Sequence, residues 1–408
     1  MKLPAYKQLL SPLKYRDFRL LWIGQAISAF GNPFQTVALS WLILQVTGSA
    51  VDLAICLLFL SIPMAASTLV GGVLTDRFDA RVVMLWSDAI RVVTSGAIAV
   101  LAFTGWMPLW LLCAILLVHG TANGIFNPAA NSIAPRVVPV EVLDGANSLA
   151  SSVAQFGTLL GAVPAGFLVA AGQAGLAFLL NALSFAVAVW TTLQMKPLPL
   201  SPQTDTKKLT LLQQALQGFS YLGGMPWLVA LIIMDMLAGL AAIGPLTVGL
   251  PLLSQQIFHT GAQGYGLLVW SFGCGTVVGM FLPSIIHPTR RRGLLMIGLQ
   301  AVQFLLLIGI VFAPFPLALV LVFTHALTNG MISILFLSLI QAKVASNMLG
   351  RIMSFSFLAS YGIVPLSQTA TGIIAQQVGL YTLFLLASGI MLLGALWGLL
   401  VPAFRTLE

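Results

Sequence analysis

Residues 51–104 read VDLAICLLFLSIPMAASTLVGGVLT, then DRFDAR, then VVMLWSDAIRVVTSGAIAVLAFT. Two apolar runs, each long enough to cross a bilayer core of about 30 Å as a helix, flank a turn that concentrates acids and arginines. The same alternation continues outward in both directions. Spans are expected near 18–46, 51–75, 82–104, 106–128, 146–171 and 174–195, and again near 225–254, 262–286, 293–313, 316–340, 351–377 and 380–403. The reading is an all-α membrane protein with twelve transmembrane helices in two six-helix bundles.

Composition agrees with that reading. Of 408 residues, 59% are hydrophobic and 7% are charged. A soluble domain carries roughly a quarter charged residues, so this chain has too few to cover a surface facing water. The N-terminal stretch MKLPAYKQLLSPLKYRDFR is basic and lacks the apolar core of a cleavable leader. The net charge of +8 is spread over short connections and forms no patch for nucleic acid. Cys56, Cys113 and Cys274 lie inside apolar runs, with neither disulfide nor metal-site spacing. No metal and no cofactor are expected.

The basic residues orient the chain. All 18 lysines and arginines except Arg91 fall at the termini or in alternate connections, all on one side of a twelve-span arrangement. Basic loops stay cytoplasmic, so both termini are expected there, in a bacterial inner membrane. Residues 196–215, KPLPLSPQTDTKKLTLLQQA, form the one long polar interruption, with a surface helix expected from Leu209. They divide an N-terminal bundle, 1–195, from a C-terminal bundle, 216–408.

The halves repeat. His119, Asn123 and Gly124 in span four recur as His325, Asn329 and Gly330 in span ten, each displaced by 206 residues. Val138 and Ser148 recur as Val344 and Ser354 at the same offset. Parallel six-span repeats suit a transporter that rocks two bundles about a central site.

Gly72-Val73-Leu74-Thr75-Asp76-Arg77-Phe78-Asp79-Ala80-Arg81 resembles the loop signature of the major facilitator superfamily, between spans two and three as in that family. Asp79 and Ala80 depart from its usual glycine and arginine. Leu21-Trp22-Ile23-Gly24-Gln25, the Thr47-Gly48-Ser49 turn, Asn127-Pro128, Pro135-Arg136-Val137-Val138-Pro139 and Leu349-Gly350-Arg351-Ile352-Met353-Ser354 resemble its macrolide-efflux and siderophore-exporter branch. The resemblance implies a conformational latch at Gly72, Asp76, Arg77 and Arg81, and a central cavity lined by spans one, four, seven and ten. Relatives often carry an acid where this chain has Asn32, so any proton-moving task of that acid falls elsewhere here or is lost.

The residues themselves suggest roles beside that resemblance. Asp88 and Arg91, three apart on one face of span three, read as an intramembrane ion pair, because an unpaired charge there costs about 3 kcal/mol. Asp235 has no basic neighbour in sequence, and the resemblance puts it in the cavity as a candidate for proton coupling or substrate contact. His119 with Asn123, and His325 with Asn329, each present two polar groups one turn apart. They suit substrate contact or proton relay, or equally hydrogen bonds that hold helices together. Gly120/Gly124, Gly157/Gly161, Gly275/Gly279 and Gly394/Gly398 read as close helix packing.

The expected activity is alternating-access export of small lipophilic or amphipathic molecules, drug-like or siderophore-like, by proton antiport. Expected partners are the small-molecule substrate, protons and the lipid bilayer, and a monomer is expected. Uptake of a solute by the same fold is the nearer alternative, a membrane enzyme or lipid-handling protein the more distant. No nucleophile-elbow, zinc-protease or phosphate-loop motif occurs in the sequence to support an enzyme.

Overall fold

The computed structural model describes residues 10–197, 224–286, 291–344 and 346–407. Residues 198–215 of the expected linker, and with them the expected surface helix, lie outside the described residues. Among the described residues twelve long helices follow one another: α1 Arg16–Thr47, α2 Ala50–Arg77, α3 Ala80–Thr104, α4 Leu109–Val137, α5 Leu143–Ala170 and α6 Ala174–Leu193. Then come α7 Pro226–Gly244, α8 Gly261–Ile286, α9 Arg292–Phe312, α10 Phe315–Lys343, α11 Ser346–Gln377 and α12 Leu380–Leu400. Pro245, which lacks an N–H, is absorbed by a π turn over Pro245–Gly249, and the chain stays helical over Leu250–Gln256.

Among the described residues, ten of these helices are long and apolar enough to span a membrane by length and composition. Large side chains such as Trp86, Leu160 and Leu400 stand exposed on their outer faces. Such helices would not be stable facing water; in lipid every backbone group is satisfied within the helix.

The described residues group into two compact units. Unit 1 falls within Met1–Gly48, Ile55–Thr204 and Gly261–Trp270; unit 2 falls within Ser49–Ala54, Asp205–Thr260 and Ser271–Glu408. In unit 1, α1 packs on α5 and α6, and α3 packs on α4 and α6. In unit 2, α7 packs on α11 and α12, and α9 packs on α10 and α12. Each pairing is the other shifted by six helices, so the sequence repeat is also a repeat of packing.

Glycines set the closest seams in both units. A Cβ on Gly120 or Gly124 of α4 would lie within 2.2 Å of an α2 carbonyl oxygen or the Ser67 hydroxyl, and one on Gly275 or Gly279 of α8 within 2.1 Å of an α10 carbonyl oxygen. The approach of backbone to backbone is therefore available only to glycine. Apolar cores finish the packing, one around Phe18, Met84, Ile133 and Leu149, the other around Leu231, Ile297, Leu339 and Phe404.

Candidate functional site

A cavity of about 700 Å³ opens within unit 1, walled by α1, α2, α4, α5 and Arg91 of α3. Its polar wall comes from two helical stripes. Along α4, His119, Asn123, Asn127 and Asn131 recur every fourth residue and so share one face. Along α1, Gln25, Ser28, Asn32, Gln35 and Thr36 share a face at spacings of three or four residues, with Thr36 adjoining Gln35, and Asn147 joins from the start of α5. Aliphatic side chains complete the lining, among them Leu39 of α1 and Leu57, Leu60 and Met64 of α2.

Behind the α4 stripe lies a closed hydrogen-bond network. Ser95 Oγ donates to Gln35 Oε1 at 2.8 Å, and Asn181 Nδ2 donates to the same oxygen at 2.5 Å. Two donors on that oxygen fix the amide, so Gln35 Nε2 donates to His119 Nε2 at 3.1 Å. The other ring nitrogen, Nδ1, then carries the proton and donates to Thr94 Oγ1 at 2.8 Å, while Thr94 donates to the Ile90 carbonyl at 2.9 Å. His119 is thereby held as its Nδ1–H tautomer, the role at each nitrogen set by its neighbour. The chain of bonds joins α1, α3, α4 and α6.

Asp88 and Arg91 form the ion pair expected on α3, through Arg91 Nη2 and Asp88 Oδ1. Asp88 is fully buried and Arg91 4% exposed. Arg91 Nη1 also donates to Asn123 Oδ1 at 3.2 Å. The guanidinium lies between two rings, 3.8 Å from the centroid of Phe126 and 4.4 Å from that of Phe185, contacts that favour a desolvated cation. The arginine is thus compensated from three sides, and its charge is matched by one carboxylate.

Unit 2 is different. Asp235 is half-buried on α7 and accepts a hydrogen bond from Ser360 Oγ of α11 at 2.5 Å. His325, the repeat of His119, is 1% exposed, and its Nδ1 is buried with no hydrogen-bond partner among the described residues. Asn329 is half-buried on the next turn of α10.

The loop signature places its residues unevenly. The Asp76 side chain lies outside the described residues, and Arg77 is exposed. Arg81 Nε and Nη2 donate to the carbonyls of Thr192 and Leu193, at 2.9 and 2.7 Å, capping the C-terminus of α6. The Asp79 carboxylate accepts from Arg81 N and caps α3. A Cβ on Gly72 would meet open space, whereas one on Gly71 would lie 2.8 Å from Ile125 Cα of α4. The close approach within this unit therefore belongs to Gly71.

Sequence reasoning named His119, Asn123 and Asn32 but missed Asn127, Asn131, Asn147, Gln25 and Gln35. The fourfold spacing of Asn123, Asn127 and Asn131 was the available signal. Among the described residues no group of three or more His, Cys, Asp or Glu is placed to hold a metal ion.

Comparison with known proteins gives the arrangement a setting. The profile of a family described as transmembrane secretion effectors matches residues 7–407. Macrolide efflux protein A of Streptococcus pyogenes is 22% identical over 97% of this chain and 99% of its own length. The multidrug efflux pump Tap of Mycolicibacterium fortuitum is 24% identical over 95% of this chain and 97% of its own. Among solved structures, a D-xylose–proton symporter superposes with a TM-score of 0.75 at 14% identity, covering 96% of this chain and 99% of that one. The nucleoside transporter NupG gives a TM-score of 0.72 at 14% identity, over 94% and 98%. At these identities the structures establish the fold alone.

Proposed function

Because this chain belongs to the transmembrane secretion effector family, a branch of the major facilitator superfamily whose members are transporters and not enzymes, we propose that it exports small lipophilic or amphipathic molecules by alternating access, coupled to proton antiport. The observation that carries the reading is the unit 1 cavity: a space of about 700 Å³ with an amide-rich wall, set among largely apolar helices. Polar surface inside a membrane is costly and is kept where it lines a pathway. The relatives' names, a macrolide efflux protein and a multidrug efflux pump, support the outward direction and the drug-like class.

Orientation supports export as well. The basic connections put both termini and the Asn131 end of the cavity on the cytoplasmic side of an inner membrane. The amide wall then faces the compartment from which an exported molecule is drawn.

Proton coupling falls to Asp235. It is the sole acidic residue in 206–407, it sits about ten residues into α7, and its one described side-chain partner is an uncharged hydroxyl. A carboxyl so placed is able to carry a proton without breaking an ion pair. His119 is a poorer carrier, since a second ring proton would confront Gln35 Nε2 and force Gln35 to turn against Ser95 and Asn181. The chain is taken to act as a monomer.

The test is accumulation of several lipophilic dyes and drugs in cells expressing the chain, with an uncoupler added midway. Low accumulation that rises on uncoupling supports the proposal. Accumulation above that of empty cells, collapsing on uncoupling, would instead mean uptake.

A further inference from the structure

Five carboxamides line the unit 1 cavity with side chains that make no hydrogen bond to the described residues: Gln25, Asn32, Asn127, Asn131 and Asn147. The neighbouring polar groups are already engaged. His119 is closed within its network, and Arg91 is held by Asp88, Asn123 and two rings. What the cavity offers a ligand is therefore a surface of uncharged groups, each able both to donate and to accept.

The distribution is graded. From His119 to Asn131 the α4 stripe climbs about 18 Å, at about 1.5 Å per residue, toward the helix end at Val137. Past His119 in the other direction the lining turns to Leu39 and Leu57, while Leu60 and Met64 of α2 stand beside Gly120 and Gly124. Among the residues lining the cavity Arg91 alone carries a full charge, and Asp88 behind it matches that charge. A cation meets no net attraction here, and an anion finds its only arginine already matched. A part of a ligand carrying several hydroxyl, ether or carbonyl oxygens finds donors and acceptors in quantity.

We infer that the amide wall of unit 1 is a subsite for the uncharged, oxygen-rich part of an amphipathic substrate, with Asn127 and Asn131 determining its specificity and the aliphatic end taking the hydrocarbon part. This rests on the export reading and narrows its substrate class. A site built to hydrogen-bond an oxygen rejects ligands lacking it, because its own amides are then desolvated without partners. Cationic and anionic groups are disfavoured by a separate cost: they exchange full hydration for neutral amides.

The experiment uses the full chain in lipid nanodiscs and three coumarin probes with the same octyl chain. One carries a neutral disaccharide, one a quaternary ammonium and one a sulfonate. Fluorescence anisotropy gives binding, and inside-out vesicles give transport. The glycoside is expected to bind at least fivefold tighter than either charged probe. Asn127→Leu with Asn131→Leu is expected to weaken glycoside binding about tenfold while leaving ammonium binding within twofold, and Asn127→Gln with Asn131→Gln to restore much of the loss. Ammonium binding equal to or tighter than glycoside binding would overturn the inference, as would an equal loss for all three probes in the leucine variant. Failures of the two readings look different. Glycoside bound but never moved would sink export and keep the subsite. An ammonium probe that is moved while the glycoside is not bound would sink the subsite and keep export.

Discussion

His119 and His325 occupy the same position in the two repeats, one turn before an asparagine and next to a seam of glycines, yet they live in opposite surroundings. His119 is bonded at both nitrogens and clamps four helices of unit 1. His325 is just as deeply buried, and its Nδ1 has no partner among the described residues. The asparagine stripe that continues past Asn123 to Asn127 and Asn131 gives way, past Asn329, to Ser333 and Leu337. Unit 2 has instead Asp235, the sole acid in residues 206–407. A duplicated fold has thus divided its labour. One copy carries a neutral polar wall backed by a fixed network, and the other keeps a single titratable carboxyl in an apolar setting.

The largest effect expected from breaking this contrast lies at Arg91. Arg91→Met leaves Asp88 buried and unpaired, and removing one partner of a buried pair costs about 3–5 kcal/mol. The thermal unfolding midpoint of the variant in detergent should fall by many degrees, and adding Asp88→Asn should restore much of it. A single variant as stable as the parent would mean the pair is not compensating a buried charge.

A smaller effect separates the histidines. His119→Leu strands Gln35 Nε2 and Thr94, so a loss of about 1–2 kcal/mol is expected. His325→Leu removes a ring nitrogen that has no partner, so stability should stay within about 0.5 kcal/mol or rise. Equal losses in denaturation would erase the distinction between the units. The smallest effect is at Gly72, whose Cβ position is open. Gly72→Ala in a helix should leave stability unchanged or raise it by under about 1 kcal/mol. If its transport rate drops nonetheless, the residue acts in the conformational cycle and not in local packing. Asp76→Ala should likewise slow turnover more than it weakens substrate binding; normal turnover with weakened binding would contradict the latch.

Much of this was legible in the sequence. Span count, the repeat and the Asp88–Arg91 pair follow from apolar length, offset and the cost of charge in lipid. The ends of helices were less legible. Span four was expected to finish near 128; α4 runs on to Val137. Asn127 and Asn131 mark a wall facing a cavity, and polarity alone does not tell a cavity from a headgroup region. Span seven, expected over 225–254, does run past Pro245, by a π turn that the sequence does not announce. The Gln35–His119–Asn181 network joins residues up to 146 positions apart, which no local pattern reveals. Arg81, which the resemblance assigns to a latch, also caps α6 from 111 and 112 positions away in sequence; the close approach of α2 to α4 falls at Gly71, beside the signature's Gly72.

The measurement that bears most directly on the account is transport in proteoliposomes under an imposed proton gradient, comparing the parent chain with Asp235→Asn while monitoring ligand binding to both. The account predicts that binding persists in the variant and that gradient-driven transport falls to the level of empty liposomes. Gradient-driven transport at the parent rate in the variant would contradict it, and would place coupling outside Asp235.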